Sequence, residues 1–319
     1  GCKDIADQLV NYPHGDGIDV VFGGGRRHFL PNSAEANIEK PVESGAEGDR
    51  TDDRNLIEEW QALHPEGEVV HSTADFNAIG STTTKVLGLF NESHMLYEAD
   101  RSNDILGEPS LSEMTAKAIE VLSQNDQGYL LVVESGRIDH GHHAGSAYNA
   151  LTDTVELSKA VQAAVDATSS DDTLIVVTAD HSHVFTIAGY PTRGNPILGK
   201  VIENNSDGSP KTEIQPAADG NPYTTLGYTN GLGFADIASE TDADARYGLA
   251  SDTGRKDLSS IDTEGTGYHQ EALVPTSAET HAGEDISVHA MGPSSHLFQG
   301  VIEQSVVFHV MSNALFLAE

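Results

Sequence analysis

The residues of this chain best suited to chemistry are carboxylates and imidazoles gathered in three short segments. The first, Glu134-Ser135-Gly136-Arg137-Ile138-Asp139-His140-Gly141-His142-His143, follows the apolar run Tyr129-Leu130-Leu131-Val132-Val133. Asp139 and His143 stand four residues apart, so one turn of helix can aim both at a single ion. The second, Thr178-Ala179-Asp180-His181-Ser182-His183, follows the apolar run Leu174-Ile175-Val176-Val177. Its adjacent Asp180 and His181 can place a carboxylate and an imidazole on one cation where the backbone bends. The third, Glu279-Thr280-His281-Ala282-Gly283-Glu284-Asp285, offers His281 just ahead of the stretch Ile286 to Met291. Each segment also has a plain structural reading, with Asp139 as a helix cap and the histidines as surface residues. Taken together, three such segments argue for more than one metal. Oxygen and nitrogen donors without thiolates suit catalytic zinc, with magnesium or manganese where carboxylates predominate. Two ions about 4 Å apart clamp the attacking and leaving oxygens of an in-line displacement, which points to phosphoryl chemistry.

Other motifs fall away. Gly23-Gly24-Gly25-Arg26-Arg27 follows an apolar run but lacks the Gly-Lys-Ser/Thr ending of a phosphate-binding loop, and reads as a tight turn. Neither His-Glu-x-x-His nor Gly-x-Ser-x-Gly occurs, which removes the commonest zinc-protease and serine-hydrolase signatures.

The elements that must position these segments are legible as alternation. Asp19-Val20-Val21-Phe22, Val86-Leu87-Gly88-Leu89-Phe90 and the runs at 129–133 and 174–177 read as strands buried on both faces, the pattern of parallel α/β sheets. Ligands of such proteins gather at the carboxyl ends of strands, which is where the first two segments begin. Ser110-Leu111-Ser112-Glu113 has the form of a capping box, and a helix over about 112–124 is expected after it. Further helices are expected at about 54–63, 145–167 and 300–317, and a strand at 286–291. The fold class is therefore α/β: a layered α/β/α core with a mainly parallel central sheet. From 189 to 279 the texture turns to Gly, Asn, Asp, Ser and Thr, with turn signals at Asp207-Gly208 and Asn230-Gly231. That stretch is expected to be an irregular insertion in a core made of 1–188 and 280–319. Apart from the acidic loop at about 43–53, the chain shows no low-complexity tract and no repeat.

Composition narrows the partners. The 319 residues are 38% hydrophobic, enough for a real core, and carry 50 acidic against 17 basic side chains for a formal net charge of -33. A general nucleic-acid binder needs basic patches that this chain cannot supply. The acidity reads as a heavily solvated surface, which fits a halophilic or marine source. With no run of 18 apolar residues no membrane span is expected, and the first residues lack the architecture of a signal peptide. Cys2 is the only cysteine, so no internal disulfide can form.

At the three ligand-bearing segments the chain closely resembles the alkaline phosphatases, from about Cys2 to the last helix. The resemblance implies a hydrolase of phosphate monoesters with two zinc ions, one magnesium ion and a phosphoserine intermediate. It implies that Asp139, His143 and His281 hold one zinc, that Asp180 and His181 help hold the second, and that Glu134 binds magnesium. His140 becomes a neighbour of the phosphate site. It further implies that 189–279 is the crown region through which homodimers meet, and a periplasmic or extracellular location. The family's nucleophilic serine in an Asp-Ser-Ala setting, the aspartate shared by zinc and magnesium, a magnesium-binding hydroxyl and the phosphate-gripping arginine find no match here. They are expected in an N-terminal part outside these residues, as is a partner for Cys2. Asn91 stands where the extra calcium site of animal members has a carboxylate, which argues against that site. Two other readings stand beside the monoesterase: another two-metal enzyme such as a phosphodiesterase or sulfatase, or a non-catalytic extracellular metal-binding module.

Overall fold

The computed structural model describes residues 3–38 and 48–315. Cys2, positions 43–47 of the acidic loop and the end of the expected last helix at 316–317 lie outside the described residues. The chain forms two compact units, Gly1–Glu134 and Ser135–Glu319, each with its own organisation.

The first unit runs α1 (Ile5–Val10), β1 (Val20–Gly23), α2 (Leu56–Leu63), β2 (Glu68–Val70), α3 (Thr73–Ala78), β3 (Val86–Leu89) and α4 (Leu111–Leu122). Its three strands pair in the order β1-β3-β2, parallel throughout, with Val21 opposite Leu87 and Val69 opposite Leu87 on the other side. Successive strand side chains point to opposite faces. Leu87 and Leu89 therefore pack with Ala6, Val10, Leu56 and Trp60 from α1 and α2, while Val86 and Phe90 pack with Phe76, Met114 and Val121 from α3 and α4. Helices thus cover both faces, which gives the α/β/α layering expected from the uninterrupted apolar strands. The ends of these helices follow their sequence signals. Asn55 Oδ1 accepts the Ile57 and Glu58 amides to start α2. Ser110 and Glu113 close both halves of a capping box at α4.

The apolar run at 129–133 belongs to no strand ladder among the described residues, and Leu130 and Val132 are 58% and 79% exposed. Apolar content selects an extended segment, but a strand exists only where a neighbour completes its backbone hydrogen bonds.

The second unit runs α5 (Arg137–His143), α6 (Ala147–Ala167), β4 (Ile175–Val177), β5 (Ser182–His183), β6 (Phe185–Ile187), β7 (Leu226–Gly231), β8 (Ala235–Asp236), β9 (Tyr268–His269), β10 (Ala272–Pro275), β11 (His281–Ala282), β12 (His289–Met291) and α7 (Ser305–Ala314). Here the strands pair as β10-β7-β6, β11-β5, β12-β4 and β8-β9. The strand expected at 286–291 is shortened to the three residues that face β4, and the last helix begins only at Ser305. The insertion-like stretch 189–279 lies within this unit. Its two turn signals part ways. Asp207-Gly208 does turn the chain, with Gly208 at φ +86° and Ser209 donating to Asp207 Oδ1. Asn230-Gly231 instead ends β7, because β10 runs alongside it and pairs Pro275 with Gly231. A long-range partner has overridden a local turn preference there.

Candidate metal centre

The site is built on α5 and the β5–β11 ladder of the second unit. Helix α5 carries Asp139 and His143 on one face, four residues apart. Its end is tightly made: Gly145 sits at φ +75°, its amide donates to the His142 carbonyl, and the Ser146 amide donates to the Gly141 carbonyl. This is the glycine-terminated cap that satisfies the last carbonyls of a helix. Ser146 then caps α6 by accepting the Asn149 amide. From the other side, β5 and β11 run antiparallel with His183 opposite His281.

Imidazoles from these elements converge on one oxygen. His183, His143, His281 and His181 place their Nε2 atoms 3.0, 3.3, 3.4 and 3.9 Å from Asp139 Oδ1. That oxygen is buried, yet it accepts no hydrogen bond among the described residues. A buried carboxylate oxygen so surrounded and so unsatisfied calls for a cation. The spacing fits zinc. Four ligands at about 2.0 to 2.1 Å from a tetrahedral zinc stand about 3.3 to 3.4 Å apart. The Asp139–His143, Asp139–His281 and His143–His281 separations are 3.3, 3.4 and 3.1 Å. Asp139, His181 and His183 form a second group of three whose ligand atoms lie within 4.8 Å of one another, and His143, His183 and Glu279 a third.

The residues singled out in the sequence divide accordingly. Asp139, His143, His181 and His281 come together. Asp180 lies beside them, its Oδ2 3.3 Å from His181 Nε2, but its side chain is 79% exposed and it joins none of the three groups. His140 is engaged elsewhere: its Nδ1 lies 2.9 Å from Arg137 Nη1, which also donates to Asp244 at 3.0 Å. Glu134, the last residue of the first unit, is exposed and joins no such group among the described residues. The donors for a magnesium ion are therefore not assembled around Glu134 among the described residues. Ser182 donates its hydroxyl to Glu284 Oε2 at 2.8 Å.

Two residues at the centre, His183 and Glu279, are not marked as ligands or supports by the sequence. His183 packs flat on His142, with ring centroids 4.6 Å apart, and hydrogen-bonds through Nδ1 to Glu279 Oε2 at 2.8 Å. Burial disfavours the charged imidazole of His183, but the hydrogen bond and charge of Glu279 and the nearby Asp139 outweigh it and hold its pKa above the ordinary value. His142 lies deeper, and burial together with the neighbouring His183 pushes its pKa down to about 3. It stays neutral and hydrogen-bonds Tyr228 at 2.9 Å, forming the floor under His183. A two-residue spacing is the signal that marks the missed pair. In extended chain, 181 and 183 share a face, as do 279 and 281.

Comparison with known proteins identifies the family. The family model described as alkaline phosphatase matches residues 1–317. The tissue-nonspecific alkaline phosphatase isozymes of Gallus gallus and Homo sapiens are 42% and 40% identical to the chain over 98% of its length. The chain spans 56% and 55% of those two relatives. Among solved structures, the alkaline phosphatase of Thermus thermophilus superposes with a TM-score of 0.60 at 22% identity, over 99% of this chain and 65% of that one. The α/β fold is common to both, and by its sequence this chain belongs to the alkaline phosphatase family.

Proposed function

We propose that the chain serves a phosphate-monoester hydrolase that uses two zinc ions and one magnesium ion and works through a phosphoserine intermediate. The observation that carries the zinc part is the set of Nε2 atoms around the unsatisfied Oδ1 of Asp139. Asp139, His143 and His281 would hold one zinc; His181 and Asp180, with Asp139 at their side, would hold the other. Bound there, the ions would supply Lewis-acid stabilisation of charge on the attacking and leaving oxygens of a phosphoryl transfer.

The chain's own residues do the positioning. Nδ1 of His143 donates to the Glu279 carbonyl at 2.7 Å, which leaves its Nε2 as the free lone pair facing Asp139. The β5–β11 pairing sets His281 against α5, and the stacked rings of His181 and His281, 3.5 Å apart, restrict both. The third ion is assigned to Glu134 on the family resemblance alone. The same resemblance supports a homodimer meeting through 189–279 and a periplasmic or extracellular location.

The test is a substrate comparison on purified protein whose intact mass has been measured. Hydrolysis of p-nitrophenyl phosphate, far faster than of bis(p-nitrophenyl) phosphate or p-nitrophenyl sulfate, is expected. A chelator should abolish it, and zinc with magnesium should restore it. Zinc bound without turnover would instead identify a non-catalytic metal-binding module, and preference for the diester or the sulfate would reassign the reaction.

A further inference from the structure

Glu279 is almost wholly buried, at 2% exposure, and its carboxylate is fully committed. Oε1 accepts the Val184 amide at 2.8 Å, and Oε2 accepts from His183 Nδ1 at 2.8 Å. The same Oε2 lies 3.4 Å from His143 Nδ1, which donates to the backbone carbonyl of Glu279 at 2.7 Å. One residue thus holds the inner nitrogens of two imidazoles, one from α5 and one from β5. The Glu279 amide in turn donates to the His143 carbonyl at 3.1 Å, which closes the contact with the helix end.

Each ring has only two nitrogens, so fixing Nδ1 fixes where Nε2 points. With Nδ1 turned to Glu279, His183 and His143 direct Nε2 to within 3.0 and 3.3 Å of Asp139 Oδ1. We infer that Glu279 is the positioning residue of the metal centre: it holds the Nδ1 sides of His143 and His183 and so aims both Nε2 atoms at Asp139. A buried carboxylate behind a metal-facing imidazole does this work in many metal sites, and its loss costs about 10- to 100-fold in affinity or activity. This inference rests on the metal-centre reading of the proposed function.

Glu279→Gln separates orientation from packing. Glutamine preserves the volume and an acceptor for the Val184 amide, but then presents its NH2 group to His183 Nδ1. The hydrogen bond to a carboxylate that anchors His183 is then lost, and its Nε2 is no longer held toward Asp139. Chelator competition on the zinc-loaded protein should show about 10- to 100-fold weaker zinc binding in Glu279→Gln. Glu279→Asp, which keeps the acceptor charge, should recover part of the loss. In the metal-free protein, 15N NMR of labelled histidines should show His183 hydrogen-bonded through Nδ1, a signal lost in Glu279→Gln. Zinc affinity equal to wild type in Glu279→Gln overturns the inference, as does an unchanged His183 Nδ1 signal. Should Glu279→Gln fail to fold, His183→Gln removes the same link from its other end, and unchanged zinc affinity there overturns it equally. A folded wild-type protein that binds no zinc overturns the metal-centre reading and this inference with it, an outcome distinct from a failure confined to the variants.

Discussion

Gly141 of α5 lies against Ala150 of α6 so closely that a Cβ on the glycine would come within 2.8 Å of the Ala150 amide nitrogen. Glycine in a helix normally costs about 1 kcal/mol relative to alanine. Here the close approach of the two backbones outweighs that cost. Gly141→Ala must push α5 away from α6, and Asp139 and His143 move with α5. A net destabilisation of about 1–2 kcal/mol is expected, together with weaker zinc binding, because overpacking exceeds the gain in helix propensity. Thermal unfolding and zinc titration check it; a more stable variant would show that α5 has room to spare.

Asp139 is the point at which the imidazoles meet, so Asp139→Asn should be more severe than any change to an outer partner. The amide is neutral, and it presents an N–H group to nitrogens that need a cation between them. Zinc affinity should fall by more than about 100-fold, beyond the range typical of residues that only support a ligand. Metal analysis of the purified variant, after dialysis against a weak chelator, reads this directly. Full zinc occupancy would remove Asp139 from the centre.

His269 supplies a pH dependence. It is 1% exposed, burial pushes its pKa down to about 4, and its Nδ1 hydrogen-bonds the Ala144 carbonyl at 2.9 Å. The folded protein therefore keeps it neutral, while the unfolded chain takes up a proton below about pH 6.5. In that window the unfolded state binds more protons, so stability rises with pH. Stability is complete above about pH 6.5 and is lost as pH falls toward 4, by up to about 3 kcal/mol from this residue. His142 adds to the same slope. Denaturant midpoints from pH 4 to 7 should flatten in His269→Gln, and an unchanged slope would remove His269 as a source.

In the first unit, Arg50 joins Asp4 and Asp52, both far more exposed than the arginine itself. Its guanidinium is 6% exposed, while the two carboxylates are 53% and 44% exposed. The hydrogen bond from Arg50 lowers the Asp4 pKa to about 2. Water screens such half-exposed carboxylates, so the ion pairs contribute less than a fully buried network. Arg50→Leu should cost about 1–3 kcal/mol, part of it from the lost hydrogen bond to the His28 carbonyl. Raising the salt concentration should shrink the difference between variant and wild type in denaturant unfolding. A difference that salt does not change would assign the cost to packing alone.

What the sequence determined by itself was local. The apolar runs at Val20–Phe22 and Val86–Phe90, alternating with capped helices, were enough for a layered α/β unit, because strand periodicity and capping act within a few residues. The Asp139–His143 spacing was enough to put two candidate ligands on one helical face. Tertiary structure decided the rest. The apolar run at 129–133 has no ladder partner among the described residues, and Asn230-Gly231 is straightened by β10 beside it. Only the antiparallel pairing of β5 with β11 brings His183 to His281 and, with them, the Glu279 carboxylate to Nδ1 of His183. Residue type and spacing specify which ligands a segment can offer; the choice among them depends on hydrogen bonds and buried contacts made across long stretches of chain.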